Sequence, residues 1–343
     1  MKKTKKSETV RHAQAAETKA DTVGELLQGA TAEAETIGEP EQAAKAAVKS
    51  AQKVKKGHRF LKAVAYVLLF LLVFAIVTGG IVFFYARYTK THYEVTFYQE
   101  SSQKVSGNVR IAVISDLHNR EYGDDNSTLL SDLKSLKPDL ILFAGDMVIR
   151  EVDDYQSMLR LVSALKQVAP CYGVLGNHES ERIYSLGDRD LPDKFEQAGL
   201  ILLRNAAETI QIGENRIQLI GVEGTSYGFE EYGGRKFMDE VEIDPSAYCI
   251  VMAHIPILFD TQLSQYDFDL GIAGHTHGGI VNLPALGGLY TQEEGWLPKY
   301  SSGRLTLSRQ QSLIISRGLG DSASFPPRIN NMPELVVIDI NWI

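Results

Sequence analysis

Cysteine is almost missing: the 343 residues hold two, Cys171 in "APCYGV" and Cys249 in "AYCIVM". Both sit in apolar runs, so packing in a core is their expected role ahead of a disulfide. They leave the redox compartment open. Aromatic side chains are missing before Phe60, and large apolar ones are scarce through residue 57. Such a stretch buries little, so residues 1–62 are expected to be a disordered or loosely helical tail, with "EQAAKAAVKSAQKVKK" favouring helix. Positive charge is short in the remainder. Residues 1–62 carry 13 Lys+Arg against 8 Asp+Glu, yet the whole chain stands at −8, so residues 87–343 are strongly acidic. That argues against a nucleic-acid partner, whose phosphates call for a basic patch.

Charge is absent altogether from Ala63 to Ala86, "AVAYVLLFLLVFAIVTGGIVFFYA". As a helix these 24 residues would be about 36 Å long against a hydrocarbon core of about 30 Å. No polar face interrupts the run, which argues against a buried helix of a soluble domain. No A-x-A site follows it and no twin-arginine pair precedes it, which leaves an uncleaved transmembrane anchor over a signal peptide. Lys53, Lys55, Lys56, Arg59 and Lys62 lie just before the span, Arg87 and Lys90 just after it. The excess puts the N-terminus in the cytoplasm and the 87–343 domain outside, on a single-pass protein of the cell membrane.

Beyond the anchor the texture changes. "VRIAVISDLH", "PDLILFAGD", "CYGVLGNHE", "YCIVMAHIP" and "FDLGIAGHTHGG" are short, nearly continuous apolar runs that end in polar residues, as strands buried on both faces do. Between them, "NSTLLSDLKSLKPD" places Leu129, Leu130, Leu133 and Leu136 at helical spacing with Pro138 as the stop, and "DYQSMLRLVSALKQVAP" repeats the pattern. Alternation of this kind predicts an α/β fold. "ILLRNAAETIQIG", "NRIQLIGVEG" and "ELVVIDINWI" look antiparallel, so two stacked mixed β-sheets flanked by helices are expected.

The polar residues at the strand ends form a set: Asp116, His118, Asp146, Asn177, His178, His254, His275 and His277. Sites in α/β sheets form outside the carboxyl ends of the strands. Each residue alone has a dull explanation; five strand ends finishing alike do not. Carboxylate, imidazole and amide oxygen without thiolate suit Mn, Fe, Zn or Co. The number of donors fits two ions sharing one carboxylate, which can clamp a phosphoryl group and activate a water. His275 and His277 are then ligands, one reaching toward each metal, and the glycines of "GHTHGG" let backbone approach the ions.

In order along the chain, "DLH", "GD", "GNHE", "AHIP" and "GHTH" resemble the calcineurin-like metallophosphoesterase superfamily, and the tail "SRGLGDSASFPPRINNMPELVVIDI" resembles a membrane-associated bacterial phosphodiesterase-like branch of it. The resemblance spans about residues 90–343. It implies Asp116, His118 and His277 at one metal, Asn177, His254 and His275 at the other, and Asp146 bridging. His178 would be catalytic, stabilising phosphoryl charge or protonating the leaving oxygen, and Glu179 would orient it from behind. Asn119 and Arg120 either touch substrate phosphate or form a solvated loop. "GVEGTSYG" departs from the acidic pair that relatives often carry there. "GGIVNLPALGGLYTQEEGWLPKY" is expected to be structural loop, with a wall beside the site as the other reading. The expected activity is dinuclear-metal hydrolysis of phosphodiester or lipid-linked phosphoester bonds. Two readings stay open beside it: a phosphoprotein phosphatase, although the long helical insertions around a groove are lacking, and an inactive metal-binding scaffold.

Overall fold

The computed structural model describes residues 40–224, 228–307, 311–321 and 327–343. Most of the expected tail, and parts of "GVEGTSYG" and of the "SRGLGDSASFPP" segment, lie outside the described residues. The chain divides into two compact units, the first ending at Gly79 and the second running Gly80–Ile343.

Helix α1, Pro40–Tyr88, joins the described end of the expected tail, residues 40–62, to the apolar run without a break. The Ala- and Lys-rich stretch extends it toward the N-terminus because those residues lose least on entering a helix. It is long and apolar enough to cross a membrane, and its most apolar stretch is not buried.

The second unit is built on two six-stranded sheets. The first runs β1 (Glu94–Ser102), β16 (Glu334–Trp342), β2 (Asn108–Ile114), β3 (Leu140–Phe143), β4 (Cys171–Gly173), β5 (Ile201–Leu202). Every pair in it is parallel except β16 with β2. The second runs β14 (Gly303–Thr306), β15 (Ser312–Ile315), β9 (Leu270–Ala273), β8 (Tyr248–Met252), β7 (Asn215–Gly221), β6 (Ala206–Ile212). It is antiparallel at both edges and parallel within. The terminal strand β16 is antiparallel to β2, as expected, but parallel to β1. Two small hairpins follow β9: β10 (Asn282–Leu283) with β11 (Gly287–Gly288), and β12 (Tyr290–Thr291) with β13 (Gly295–Trp296).

Strand alternation sorts the core into layers. Ile111 and Val113 of β2 pack between the sheets with Ile250 and Met252 of β8. Ala112 and Ile114 face the other way, onto Leu129 and Leu133 of α2 (Ser127–Leu136) and Leu161 and Leu165 of α3 (Gln156–Leu165). Each of these side chains larger than alanine contributes about 1.5–3 kcal/mol on burial. Cys171 and Cys249 are free and buried in two different outer layers, where burial pushes both thiols up to about 12. The sheet registers align the ends of β2, β3 and β4 at Ile114, Phe143 and Gly173, and pair Met252 of β8 with Ile272 of β9. The loops leaving those ends meet.

Candidate metal centre

The backbone leaves the strands in an unusual way. Asp116, His118, Asp146, His275 and His277 all have positive φ, from 48° to 71°. Left-handed backbone costs a non-glycine residue roughly 1–3 kcal/mol and persists only where the surroundings enforce it. Here hydrogen bonds do so. His275 N–H donates to both carboxylate oxygens of Asp116, at 2.9 and 3.0 Å, and His178 N–H donates to Asp146 Oδ1 at 2.9 Å. The glycine beside them serves this packing rather than approach to an ion: a Cβ on Gly274 would collide with Ser115 Oγ and Asp116 Oδ2.

Three overlapping clusters result. Asp116, His118 and His277 bring ligand atoms within 4.8 Å of one another, as do His118, Asp146 and His178, and Asp146, His254 and His275. His118 Nε2 and His277 Nε2 face each other at 3.1 Å. His254 Nε2 lies 3.1 Å from Asp146 Oδ2 and His277 Nε2 lies 3.6 Å from Asp116 Oδ1. Asn177 opens α4 (Asn177–Tyr184), and its buried Oδ1 has no hydrogen-bond partner. Of the eight residues singled out from the sequence, seven thus fall into the clusters and Asn177 precedes His178 at their edge.

Ring tautomers follow from the partners. His254 Nδ1 faces Ala144 O at 2.7 Å and must donate to it, so Nε2 is the nitrogen a cation would meet; with no cation bound it carries the proton directed at Asp146 Oδ2. Arg150 N–H donates to His178 Nδ1 at 3.1 Å, so the neutral His178 ring carries its proton on Nε2. His275 Nε2 is 2.6 Å from Glu293 Oε1, an N–H donor to a carboxylate that leaves Nδ1 as the free lone pair. His277 Nδ1 has Gly320 O at 3.3 Å; Arg328 Nη2, 3.1 Å away, has closer acceptors in Gly320 O at 2.6 Å and Arg317 O at 2.7 Å.

Glu293 is the residue the sequence did not disclose. It sits on the loop expected to be structural, and Tyr290, Thr291, Gln292 and Glu293 line the same cleft as Asn177, His178, His275 and His277. The loop is a wall of the site. Two other expectations change. Glu179 does not orient His178; its carboxylate accepts from the backbone N–H groups of Gly176, Asp146 and Val148 at 2.7, 2.9 and 3.0 Å. Neighbouring residues on a helix face about 100° apart, so His178 and Glu179 of α4 address different partners. Asn119 accepts from Ile149 N–H and donates to Asp154 O, while Arg120 pairs with Asp321 at 2.6 Å; both tie loops together.

Electrostatics makes the cluster fit for cations. Burial lowers His118 to about 4 against the pull of Asp146 and Asp116. Burial, then His118 and Arg328, push His277 well below its ordinary value. Both are therefore neutral imidazoles, the form that ligates metal. For His254 burial again opposes the charge, but Asp146 and Asp116 overturn it and carry the ring up to about 10. Asp146 is held well below the carboxylate range: burial would raise it, and His254 and His118 prevail. Buried carboxylates that recruit a proton onto histidine, beside the unpartnered His118 Nδ1 and Asn177 Oδ1, are a donor set matched to divalent ions.

Residues 109–279 match the calcineurin-like phosphoesterase family. The chain is 26% identical over 275 residues to the uncharacterized metallophosphoesterase YkuE of Bacillus subtilis, covering 77% of this chain and 91% of that one. It is 25% identical over 244 residues to phosphodiesterase YaeI of Escherichia coli, covering 67% and 82%. A dimetal phosphatase of Danio rerio superposes with a TM-score of 0.35 and 13% identity over 62% of this chain and 88% of that one. The class is that of metal-dependent phosphoester hydrolases. Within it, the chain belongs to the calcineurin-like metallophosphoesterase superfamily.

Proposed function

We propose that this is a membrane-anchored hydrolase of phosphodiester or lipid-linked phosphoester bonds that works with two divalent cations. Asp116, His118 and His277 would hold one ion, Asn177, His254 and His275 the other, and Asp146 would serve both. The observation that carries this reading is Asp146: it is shared by the His118 cluster and the His254–His275 cluster. Mn, Fe, Zn and Co all suit the donors. Bound there, such ions supply Lewis acidity toward the phosphoryl oxygens and an activated water.

The chain's own residues do the rest. His178, fixed through Nδ1 by the Arg150 N–H, offers its Nε2–H as a hydrogen-bond donor to charge developing on the phosphoryl or departing oxygen. Glu179 holds the loops of Asp146 and Gly176 in register through their N–H groups. Glu293 sets the tautomer of His275. The similarity to a phosphodiesterase supports a diester substrate. The short connection from Tyr88, the last residue of α1, to Glu94, the first of β1, supports a substrate reached at a membrane. In this reading α1 is the single span, with the cytoplasm on its Lys-rich side and the catalytic domain outside. The test is turnover of a chromogenic phosphodiester by the full chain with Mn²⁺. Turnover is expected to vanish with chelator and in Asp146→Asn; turnover indifferent to both would overturn the proposal.

A further inference from the structure

We propose that the hairpins β10–β11 and β12–β13 seat in the headgroup region of a lipid bilayer and present the catalytic cleft to it. This rests on the reading of α1 as a membrane span. The hairpins form one small unit: Leu289 N–H donates to Val281 O and Leu297 N–H to Leu289 O, each at 2.8 Å. On it four large apolar side chains face solvent, Leu286 at 65%, Tyr290 at 45%, Trp296 at 73% and Leu297 at 53%. The Tyr290 and Trp296 rings meet edge to face at 5.5 Å. Scattered exposed apolar residues are ordinary, but four on one hairpin unit mark an interaction surface. Tyr and Trp, apolar in body and polar at one end, favour the boundary between lipid and water.

Two connections select a bilayer as the occupant. The first joins the patch to the cleft: Tyr290 lies on both, and the residues after it, through Glu293, form the cleft wall. The second joins the patch to the end of α1. Asn331 N–H donates to Tyr85 Oη at 3.0 Å, and Asn331 Nδ2 donates to Ile280 O at 3.0 Å. Val281 bridges Ile329 in parallel, and Asn330 Nδ2 donates to Asn282 O at 3.1 Å. The root of the hairpins is therefore one strand spacing, about 4.8 Å, from the segment that grips Tyr85. Tyr85 lies in the uncharged run itself. A bilayer crossed by α1 would have its boundary at the level of that root.

The chain supplies its own probe, since its two tryptophans are Trp296 and Trp342. Trp342 lies at the opposite end of the sheets, paired with Ser102 and donating its N–H to Gly107 O. Full-length Trp342→Phe and Trp296→Phe would each be reconstituted in phosphatidylcholine vesicles whose acyl chains carry bromine, and checked by flotation. Quenching of Trp296 emission with Trp342 emission untouched is the expected result. A chain that floats while Trp296 stays unquenched overturns the proposal and spares the anchor; a chain that does not float removes the anchor reading and this inference with it. Unquenched Trp296 emission that shifts with protein concentration would assign the patch to a second copy instead. Trp296→Ser should lose turnover several-fold on a vesicle-borne phosphodiester and keep it on a soluble one. Equal loss on both would make the hairpin merely structural.

Discussion

Replacing Glu293 by glutamine tests how the centre is held together. The Glu293 carboxylate lies 2.6 Å from His275 Nε2, and the two side chains are only 14% and 12% exposed, so water screens the contact little. Burial alone would raise Glu293, yet the hydrogen bond and charge of His275 hold it below the usual carboxylate range. A carboxylate behind a ligating histidine fixes the ring and raises its basicity, and its loss typically costs about 10–100-fold in metal affinity. At about 1.4 kcal/mol per tenfold this is about 1.4–2.8 kcal/mol. Calorimetric titration of Mn²⁺ into the metal-free chain should show one class of site weakened by that factor in Glu293→Gln and the other unchanged. The sign is decisive. If His275 offered Nε2 to the metal, Glu293 would be a competitor and its removal would tighten binding. Unchanged or tighter binding would refute the assignment.

Other perturbations follow from the same geometry. His178→Ala should lower turnover of a chromogenic diester by about 10²–10⁴-fold, with bound metal, measured by elemental analysis, unchanged. Gly274→Ala should displace Asp116 and cost about 1–3 kcal/mol of stability by overpacking, read as a fall in Tm together with weakened metal binding. Arg182 is 4% exposed and donates to Arg150 O and Val152 O, each at 2.8 Å, and to Asp188 at 2.9 Å. Arg182→Ala leaves the two backbone carbonyls without their donor, while Asp188 keeps Lys194 and Tyr155, so a loss of about 1–3 kcal/mol is expected by urea denaturation. In the metal-free chain burial, and secondarily Asp146, raise Glu179 from 4.5 to about 7. Its folded form thus binds a proton that the unfolded form has released, so its contribution to stability falls as pH rises from about 4.5 to about 7 and then levels off. Denaturation of metal-free Glu179→Gln should lack that part of the slope; an identical pH profile would show that Glu179 titrates normally.

The sheet-end ligands could be found in the sequence because chemistry and topology coincide there: an apolar strand stops, and the next residues are the donors. Asp116, Asp146 and His254 follow β2, β3 and β8 within a few positions. Glu293 carries no such mark, arriving on a Gly- and Pro-rich hairpin whose local pattern reads as turns. β1 carries little strand signal because "EVTFYQESS" is polar and only half-buried; pairing with β16 makes it a strand, not its own pattern. Adjacency in sequence points Glu179 at His178, and helical geometry turns it instead to the N–H groups of Asp146, Gly176 and Val148. The apolar part of α1 is legible as a long helix but its full length is not, since propensity alone joins the Lys-rich stretch to the apolar one.

Anomalous diffraction from Mn²⁺-loaded crystals tests the central claim most directly. Two peaks about 3.5–4 Å apart should flank Asp146, one bounded by His118 and His277 and the other by Asn177, His254 and His275. A single peak, or metal bound elsewhere with those side chains disengaged, would contradict it.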